Sequence, residues 1–400
     1  MKEMGLRLTV IADDITGAAE IAGIAHCQGQ RVQLVCSCPV DCGIASVNGT
    51  TVIATDTRSM SESEAIIETH RITSHLSPLT PHLFKKTDST LRGHVVAELS
   101  ALMEDTGFQR AVYLPANPSK GRTIKNGVYY IKEVRGEKQE VRDVPISETA
   151  FSYDPEFPAK TSFLRERFPN AESKDIIMPD AENEEDIRRV IAKYNDGKTI
   201  FAGAADLFSA LLSPQVNPQI SNLKPQTSNL KPQISNLKPQ ISNLKPQTSN
   251  LSPLTSKDTL ILCGSTQSKP LDLSIPVAPM PREVYDGNND ISLWDTSAYE
   301  ESYSLILTMP YTHRTGKEAA VHLRTVMAQK TMELIAQHRP DHLIIEGGAT
   351  AWATLKTLGW TQFDIVGQIA PGVVQMCADN GTLVTLKPGS YPWGNLFSEI

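Results

Sequence analysis

Residues 6–27 read LRLTVIADDITGAAEIAGIAHC, and this stretch sets the fold class of the chain. The apolar run over residues 6–12 predicts a buried β-strand, and residues 16–27, rich in Ala and Ile, predict a helix. Asp13 and Asp14 stand at the turn between the two. A strand that leads directly into a helix is typical of α/β proteins.

The alternation of strand and helix continues along the chain. Further strands are predicted at 31–36, 51–55, 82–86, 110–115, 259–263, 342–346 and 382–386, and further helices at 62–75, 93–106, 316–338 and 350–358. Such alternation predicts parallel strands covered by helices. We therefore expect an α/β protein with two α/β domains, whose sheets are mainly parallel and which a low-complexity linker joins.

The predicted linker is a seven-residue repeat that begins at Ile220 as ISNLKPQ and recurs with small changes. Each unit contains a proline, which is unfavourable inside a helix, and too few apolar residues to offset the entropy of ordering. Residues 213–256 are therefore predicted to be an extended linker. It divides the chain into domains at 1–212 and 257–400.

The composition excludes several classes of protein. The 400 residues carry a formal net charge of −7, so the chain lacks the basic face that non-specific nucleic-acid binding needs. No apolar run is long enough to span a membrane, and the first residues lack the apolar region of a signal peptide. We expect a cytoplasmic protein with no nucleic-acid or membrane partner. Six cysteines without a CxxC pair favour neither a disulfide framework nor a zinc site.

Polar side chains follow the predicted strands, at the edge where open α/β sheets bind ligands. Asp13 and Asp14 follow the first strand, and Thr16 and Gly17 open the helix behind it. One carboxylate would suffice to cap that helix, which is the purely structural interpretation. The second could hold a sugar hydroxyl or act as a base.

The next two strand ends carry the same kinds of side chain. They contribute Asp56, Arg58, Lys86, Asp88, Ser89 and Arg92. Arginine binds carboxylates and phosphates through two parallel hydrogen bonds, although part of each stretch could simply cap a helix or form surface ion pairs. A later loop adds Arg122 beside Gly121, which permits a tight turn. Arginines together with hydroxyl-rich loops suit a small polyhydroxy acid.

Glycine-rich turns follow the strands of the second part. They lie at 264–268, 347–350 and 387–390. Small residues let backbone N–H groups approach phosphates closely, so these turns together suggest a nucleotide site, although each alone is an ordinary turn. Neither a P-loop nor a GxGxxG sequence after a strand is present.

Six stretches resemble the four-carbon acid sugar kinase family, whose members phosphorylate tetronates such as erythronate, threonate or 3-oxo-tetronate with ATP. They are ADDITGAAE (12–20), TDTRS (55–59), KKTDSTLRGH (85–94), GRTIKNGVYY (121–130), GGATA (347–351) and APGV (370–373). The resemblance covers nearly everything except the repeat. It implies an acid-sugar domain at 1–212 and a nucleotide domain at 257–400, with the reaction in the cleft between them.

The resemblance, together with the strand-end positions, assigns candidate roles. The expected catalytic residues are Asp14, Asp88 and Arg92. The expected substrate contacts are Asp13, Thr16, Asp56, Arg58, Lys86, Ser89 and Arg122. The expected ATP contacts are Ser265, Gly347, Gly348, Ala349, Thr350 and Gly389. Mg²⁺ should bridge the nucleotide phosphates, and its protein ligands stay unassigned.

The expected reaction is transfer of a phosphoryl group from ATP to a terminal hydroxyl of a tetronate. Such a transfer needs positioning and charge neutralisation more than covalent help. One of Asp13, Asp14 and Asp88 would orient or deprotonate the hydroxyl, and the choice among them stays open. Two alternatives also stay open: a non-kinase enzyme acting on acid sugars, and a ligand-binding module that has lost efficient use of ATP. The identity of the tetronate and the oligomeric state are not determined by the sequence.

Overall fold

The computed structural model describes most of the chain on either side of the repeat. The described residues are 8–36, 49–76, 82–135, 140–154, 156–213, 258–265, 271–389 and 391–397. The predicted linker at 213–256 lies, apart from its first residue, outside them. We call residues 8–213 the N-terminal half and residues 258–397 the C-terminal half.

The N-terminal half alternates strands and helices along most of its length. Its strands are β1 (Leu8–Ala12), β2 (Val32–Cys36), β3 (Thr50–Ala54), β4 (His82–Lys86), β5 (Arg110–Leu114), β6 (Arg122–Lys125), β7 (Val128–Arg135), β8 (Glu140–Pro145), β9 (Ile176–Ile177) and β10 (Thr199–Gly203). Its helices are α1 (Ile15–Cys27), α2 (Glu62–Thr73), α3 (Val95–Thr106), α4 (Leu164–Arg167), α5 (Glu184–Tyr194) and α6 (Ala205–Leu211).

The C-terminal half repeats the pattern and adds an antiparallel hairpin. Its strands are β11 (Thr259–Cys263), β12 (Val277–Pro279), β13 (Ser304–Thr308), β14 (His342–Glu346), β15 (Gln362–Ala370), β16 (Val373–Ala378) and β17 (Leu383–Lys387). Its helices are α7 (Arg282–Tyr285), α8 (Ala298–Ser302), α9 (Lys317–His338) and α10 (Gly348–Leu358). The prediction of two α/β halves with mainly parallel strands is confirmed.

Fourteen strands from both halves form one continuous sheet, in the order β12-β13-β11-β14-β17-β16-β15-β2-β3-β1-β4-β10-β5-β9. The halves join where β15 pairs antiparallel with β2, with Phe363 opposite Leu34. Strands β6, β7 and β8 form a separate small antiparallel sheet. Asn126 and Gly127 make the hairpin turn between β6 and β7, and both have left-handed φ angles.

The strand order places the polar loops together. Strands β3, β1 and β4 are neighbours and run parallel, so the loops that follow them emerge at one edge. Strands β11, β14 and β17 are likewise parallel neighbours, so the glycine-rich turns behind them also meet. Among the described residues, no helix is both long and apolar enough to cross a membrane.

Helix α1 belongs to the N-terminal half but packs on strands of both halves, β15 and β16 as well as β2 and β3. Its sequence, ITGAAEIAGIAHC, consists mostly of small or apolar residues that are buried. The small side chains permit this close approach. A Cβ atom placed on Gly23 would lie 2.9 Å from Cγ2 of Val374 on β16.

Valine at position 23 should therefore destabilise the junction between the halves. We expect Gly23→Val to lower the free energy of unfolding by about 1–3 kcal/mol, as overpacking of a tight interior does. The midpoint of urea-induced unfolding measures the loss. The control is Ala320→Val on the exposed face of α9, where only helix propensity changes, by less than about 1 kcal/mol. Equal losses in the two variants would contradict this account of the packing.

Candidate active site

The loops after β1 and β3 are joined by a clamp between Arg58 and two aspartates. Arg58 donates to both carboxylate oxygens of Asp13, from Nε at 3.1 Å and from Nη2 at 2.7 Å. The same Nη2 donates to Asp14 at 2.9 Å. Arg58 was predicted to bind a ligand carboxylate or phosphate, but here the carboxylates that it holds are those of the chain itself.

Asp14 also begins helix α1. Its Oδ1 accepts from the backbone N–H of Gly17 at 3.0 Å, and its Oδ2 accepts from the hydroxyl of Thr16. The cap and the arginine contact therefore fall on the same carboxylate, whereas Asp13 makes no cap and lies fully buried. From the sequence, one aspartate was expected to cap the helix and the other to be available to a ligand. In the structure Asp14 caps the helix, and Arg58 donates to both Asp13 and Asp14.

The loop after β4 contributes a second arginine–aspartate pair. Arg92 donates to Asp88 from Nε at 2.7 Å and from Nη2 at 3.1 Å. Asp88 Oδ1 lies 3.9 Å from Arg58 Nη2, which links this pair to the first clamp. We call Asp13, Asp14, Arg58, Asp88 and Arg92 the aspartate–arginine cluster. Its most open guanidinium is that of Arg92, whose side chain is 34% exposed against 16% for Arg58.

The three carboxyl groups of the cluster differ electrostatically. Burial raises the pKa of Asp13, and the charge of Arg58 only partly offsets that effect. Burial would also raise the pKa of Asp14, but Arg58 and Lys86 outweigh it and lower the value. Burial acts in the same way on Asp88, yet Arg92 and Arg58 hold its pKa well below the usual range. Asp14 and Asp88 are therefore carboxylates at neutral pH.

A buried ion pair lies beneath the cluster. Lys85 Nζ and Glu98 Oε2 are 2.5 Å apart, and both side chains are almost completely buried. Glu98 also accepts a hydrogen bond from the hydroxyl of Thr57 at 2.7 Å, and Thr57 directly precedes Arg58 in the chain. This pair connects β4, α3 and the loop after β3, and so fixes the loop that carries Arg58.

Asp56 lies at the same sheet edge but does not hydrogen-bond to the arginines. Its backbone is left-handed, with φ of +56°, and its carboxylate accepts from Ser59 Oγ at 2.6 Å. Burial raises its pKa to about 6, while the Ser59 hydrogen bond and Arg324 oppose the shift. Asp56 therefore changes charge at a pH near 6.

Lys86 lies next to Glu20, which was not among the predicted site residues, and Ser89 is held by Arg122. Lys86 Nζ donates to the Thr87 carbonyl at 3.0 Å and lies 3.6 Å from Glu20 Oε2. Ser89 Oγ accepts from Arg122, which joins the predicted Arg122 to the loop after β4. Glu20 stands one helical turn after Thr16, and this i,i+4 spacing was the signal that could have identified it.

The glycine turns of the C-terminal half pack against one another. Thr350 Oγ1 donates to the carbonyl of Gly264 at 3.3 Å, and a Cβ on Gly264 would overlap the Thr350 side chain. A Cβ on Gly389 would lie 2.2 Å from Ser265 Oγ. All six residues that were predicted to contact the nucleotide therefore lie at or beside the start of α10. Ala349 is exposed on the first turn of that helix.

The two sets of loops face each other. A Cβ placed on Gly348 would lie 3.0 Å from Cγ2 of Thr16 and 3.5 Å from Oδ2 of Asp14. Helices α1 and α10, one from each half, therefore begin next to each other. The partial positive charge of a helix N-terminus favours anions. Asp14 caps the start of α1, whereas no side chain caps the start of α10, so the start of α10 is the end suited to a phosphate group.

The protein does not supply a ready cage for a metal ion in this region. Within the described ranges, no three His, Cys, Asp or Glu side chains are grouped so as to hold one. The carboxylates of the cluster instead face guanidinium groups. Mg²⁺ commonly takes few protein ligands and is bound largely through substrate phosphates, so this donor set fits a metal that arrives with a nucleotide.

Two family models match the chain, one in each half. A model described as a sugar-binding N-terminal domain matches residues 8–170, and one described as a nucleotide-binding C-terminal domain matches residues 297–391. Together they cover more than half of the chain. The first includes the whole aspartate–arginine cluster, and the second includes residues 347–350 and Gly389.

Several curated proteins named as kinases are similar to part of the chain. A D-threonate kinase of Salmonella typhimurium is 31% identical over 164 residues, 40% of this chain and 36% of the relative. A 3-oxo-tetronate kinase of Brucella melitensis is 33% identical over 147 residues, 36% and 34% of the two chains. A D-erythronate kinase of Heliobacterium modesticaldum is 29% identical over 161 residues, 39% and 34%. The matched part of this chain thus spans about a third of each relative's length.

Two solved structures share the fold over almost the full length. A Haemophilus influenzae protein, HI1011, superimposes with a TM-score of 0.65 at 20% identity, covering 98% of both chains. A Salmonella typhimurium protein described as a putative tRNA synthase gives a TM-score of 0.69 at 18% identity, again over 98% of both. At these identities the likeness concerns the fold alone.

The raised pKa of Asp56 predicts a specific pH dependence of stability. A carboxyl group whose pKa is higher in the folded than in the unfolded state stabilises the fold most while it is protonated, at pH values below its pKa in the unfolded chain, near 4. For Asp56 this stabilisation is lost as the pH rises through about 6. The wild type should therefore lose on the order of 2 kcal/mol relative to Asp56→Asn between pH 4 and pH 7. Asparagine tolerates the left-handed backbone, so the variant should fold.

Urea unfolding at several pH values measures this difference. The matched control is Asp175→Asn, because Asp175 is also left-handed, with φ of +54°, but exposed. Its difference from the wild type should stay flat over the same range. A flat difference for Asp56→Asn as well would contradict the assigned environment of Asp56.

Proposed function

Because this chain belongs to the four-carbon acid sugar kinase family, we propose that it transfers the terminal phosphoryl group of ATP to a terminal hydroxyl of a four-carbon acid sugar. The observation that carries the proposal is the junction at which Asp14 and Thr16 of one half lie against Gly348 of the other. A phosphoryl transfer requires that acceptor and donor meet in this way.

In this proposal the N-terminal half binds the acid sugar. Arg92 is the most open guanidinium of the cluster and would bind the substrate carboxylate or the moving phosphoryl group. Asp88 holds Arg92 through two hydrogen bonds and so positions it. Asp14, the aspartate that adjoins Gly348, would accept a hydrogen bond from the attacking hydroxyl and orient it.

The C-terminal half would bind the nucleotide. Backbone N–H groups at the start of α10 are the groups that a helix leaves free for phosphate oxygens, and no side chain caps this end. Ser265 and Gly389 flank this helix end. Mg²⁺ bound with the nucleotide would neutralise phosphate charge. Lys86 and Arg58 add positive charge on the acceptor side.

A coupled assay of ADP release tests the proposal. The assay screens D-erythronate, D-threonate and 3-oxo-tetronates with Mg·ATP, and at least one should be phosphorylated with product formed in equal amount to ADP. Calorimetry on the same panel serves as the second readout. Binding of a tetronate without ATP consumption would instead indicate a ligand-binding module, and would refute the kinase proposal.

Substitution of the aspartates tests their roles. Asp14→Asn keeps a side chain that caps helices well, so α1 should persist, but it removes the charge that orients the hydroxyl. We expect kcat to fall by about a hundredfold or more, within the usual contribution of a positioned base. Asp88→Asn should release Arg92 and reduce kcat/KM about tenfold or more. Initial rates on the best tetronate measure both.

The control for these variants is Asp105→Asn. Asp105 pairs with His70 at the surface, 2.9 Å away, and lies on α3 away from the loops. Its kinetic constants should match those of the wild type. Near-full activity of Asp14→Asn and Asp88→Asn would refute the assigned roles.

A further inference from the structure

Three side chains from different parts of the chain meet where the two halves adjoin. Lys120 Nζ donates to Glu20 Oε1 at 2.6 Å and also to the hydroxyl of Tyr391. The Tyr391 hydroxyl donates to the same Glu20 oxygen at 3.3 Å, and Lys120 Nζ lies 3.7 Å from the centre of the Tyr391 ring. We call Glu20, Lys120 and Tyr391 the clasp. It is a closed triangle of ammonium, phenol and carboxylate.

In the C-terminal half, Tyr391 of the clasp lies beside the glycine turn that contains Gly389. The backbone N–H of Tyr391 donates to the carbonyl of Pro388 at 3.1 Å, so Tyr391 and Gly389 belong to one tight turn. Gly389 packs on Ser265, among the proposed nucleotide contacts. The Tyr391 ring also packs on Gly372, where a Cβ would lie 2.4 Å from Cε2. The ring is therefore fixed to the C-terminal half.

On the side of the N-terminal half, the clasp is continuous with the proposed acid-sugar site. Glu20 Oε2 lies 3.6 Å from Lys86 Nζ, and Lys86 immediately precedes the loop that carries Asp88. Lys120 lies two residues before Arg122, the first residue of β6, which donates to Ser89. The Glu20 side chain is 10% exposed and that of Lys120 is 22% exposed. The clasp is thus largely shielded from water.

We propose that the clasp couples the two ligands: nucleotide bound at the turn of Gly389 holds Tyr391 in the position that completes the clasp, and the completed clasp holds Glu20 against Lys86, beside the loops that bind the acid sugar. This inference rests on the proposed function. The two states are the clasp made and the clasp broken, and each ligand binds better to the first. By linkage, each ligand then tightens the binding of the other by the same factor.

The chemistry of the clasp suits this role. Burial, together with the Glu20 charge, raises the pKa of the Tyr391 phenol, so it stays a hydrogen-bond donor over the physiological range. The Glu20 carboxylate lies near both Lys86 and Lys120. If it moved out of the triangle, the Lys120 ammonium would lose this carboxylate. Forming or breaking the triangle therefore changes several charged contacts at once, as a two-state element requires.

The test measures D-threonate, D-erythronate and 3-oxo-tetronate binding by calorimetry with and without the non-hydrolysable analogue Mg·AMP-PNP, using the full chain. In the wild type, the analogue should tighten binding of the best tetronate about fivefold or more, in the usual range of coupling between sites. Tyr391→Phe keeps the ring on Gly372 and removes the hydroxyl. Its coupling factor should fall to about twofold or less, while its Tm stays near that of the wild type.

Two further variants complete the test. Lys120→Gln should also abolish most of the coupling, because it removes the ammonium from the triangle. Tyr303→Phe is the matched control: Tyr303 is 59% exposed and precedes β13, at the sheet edge away from the site, so its coupling should equal that of the wild type. Undiminished coupling in Tyr391→Phe would overturn the clasp while leaving the kinase proposal intact. Failure of both ligands to bind the wild type would refute the proposed function itself, and the clasp with it.

Discussion

The buried contact of Arg58 with Asp13 and Asp14 is the constraint on which the rest of the site depends. One guanidinium satisfies two adjacent carboxylates at 2.7 and 2.9 Å and lies 3.9 Å from a third, so the loops after β1, β3 and β4 are fixed relative to one another. Loss of one partner from a buried ion pair costs about 3–5 kcal/mol, because the other charge is left unpaired. The arrangement therefore persists before any ligand binds, which is what preorganisation of a polar site means.

The packing of α1 carries this constraint across the molecule. Its first turn holds Asp14 and Thr16 at the cluster, its middle places Gly23 against Val374 of the other half, and Glu20 between them belongs to the clasp. Because β2 pairs with β15, the halves share one sheet, and the orientation of α1 is set by both. The distance between the two sets of loops is thus set by the shared sheet and by the packing of α1.

Much of the fold follows from periodicity, whereas its connections do not. The predicted strands at 82–86, 259–263 and 342–346 agree with β4, β11 and β14 to the residue, because each has consecutive apolar residues at its centre and is followed by a polar or glycine-rich turn. The pairing of β2 with β15 joins residues more than three hundred positions apart, and no local pattern specifies such a contact. At the site, strand-end position selected the residues of the cluster correctly as neighbours. It did not reveal that Arg58 holds the chain's own carboxylates, or that Tyr391 reaches Lys120, since both depend on tertiary packing.

The central claim is that the acceptor and donor sites meet between Asp14 and Gly348. A crystal structure of the full chain with Mg·AMP-PNP and its preferred tetronate tests it most directly. The account predicts phosphate oxygens at the start of α10 and a tetronate hydroxyl beside Asp14, within about 3–4 Å of the terminal phosphorus. A nucleotide bound elsewhere, or a tetronate whose hydroxyls all lie far from that phosphorus, would contradict the account.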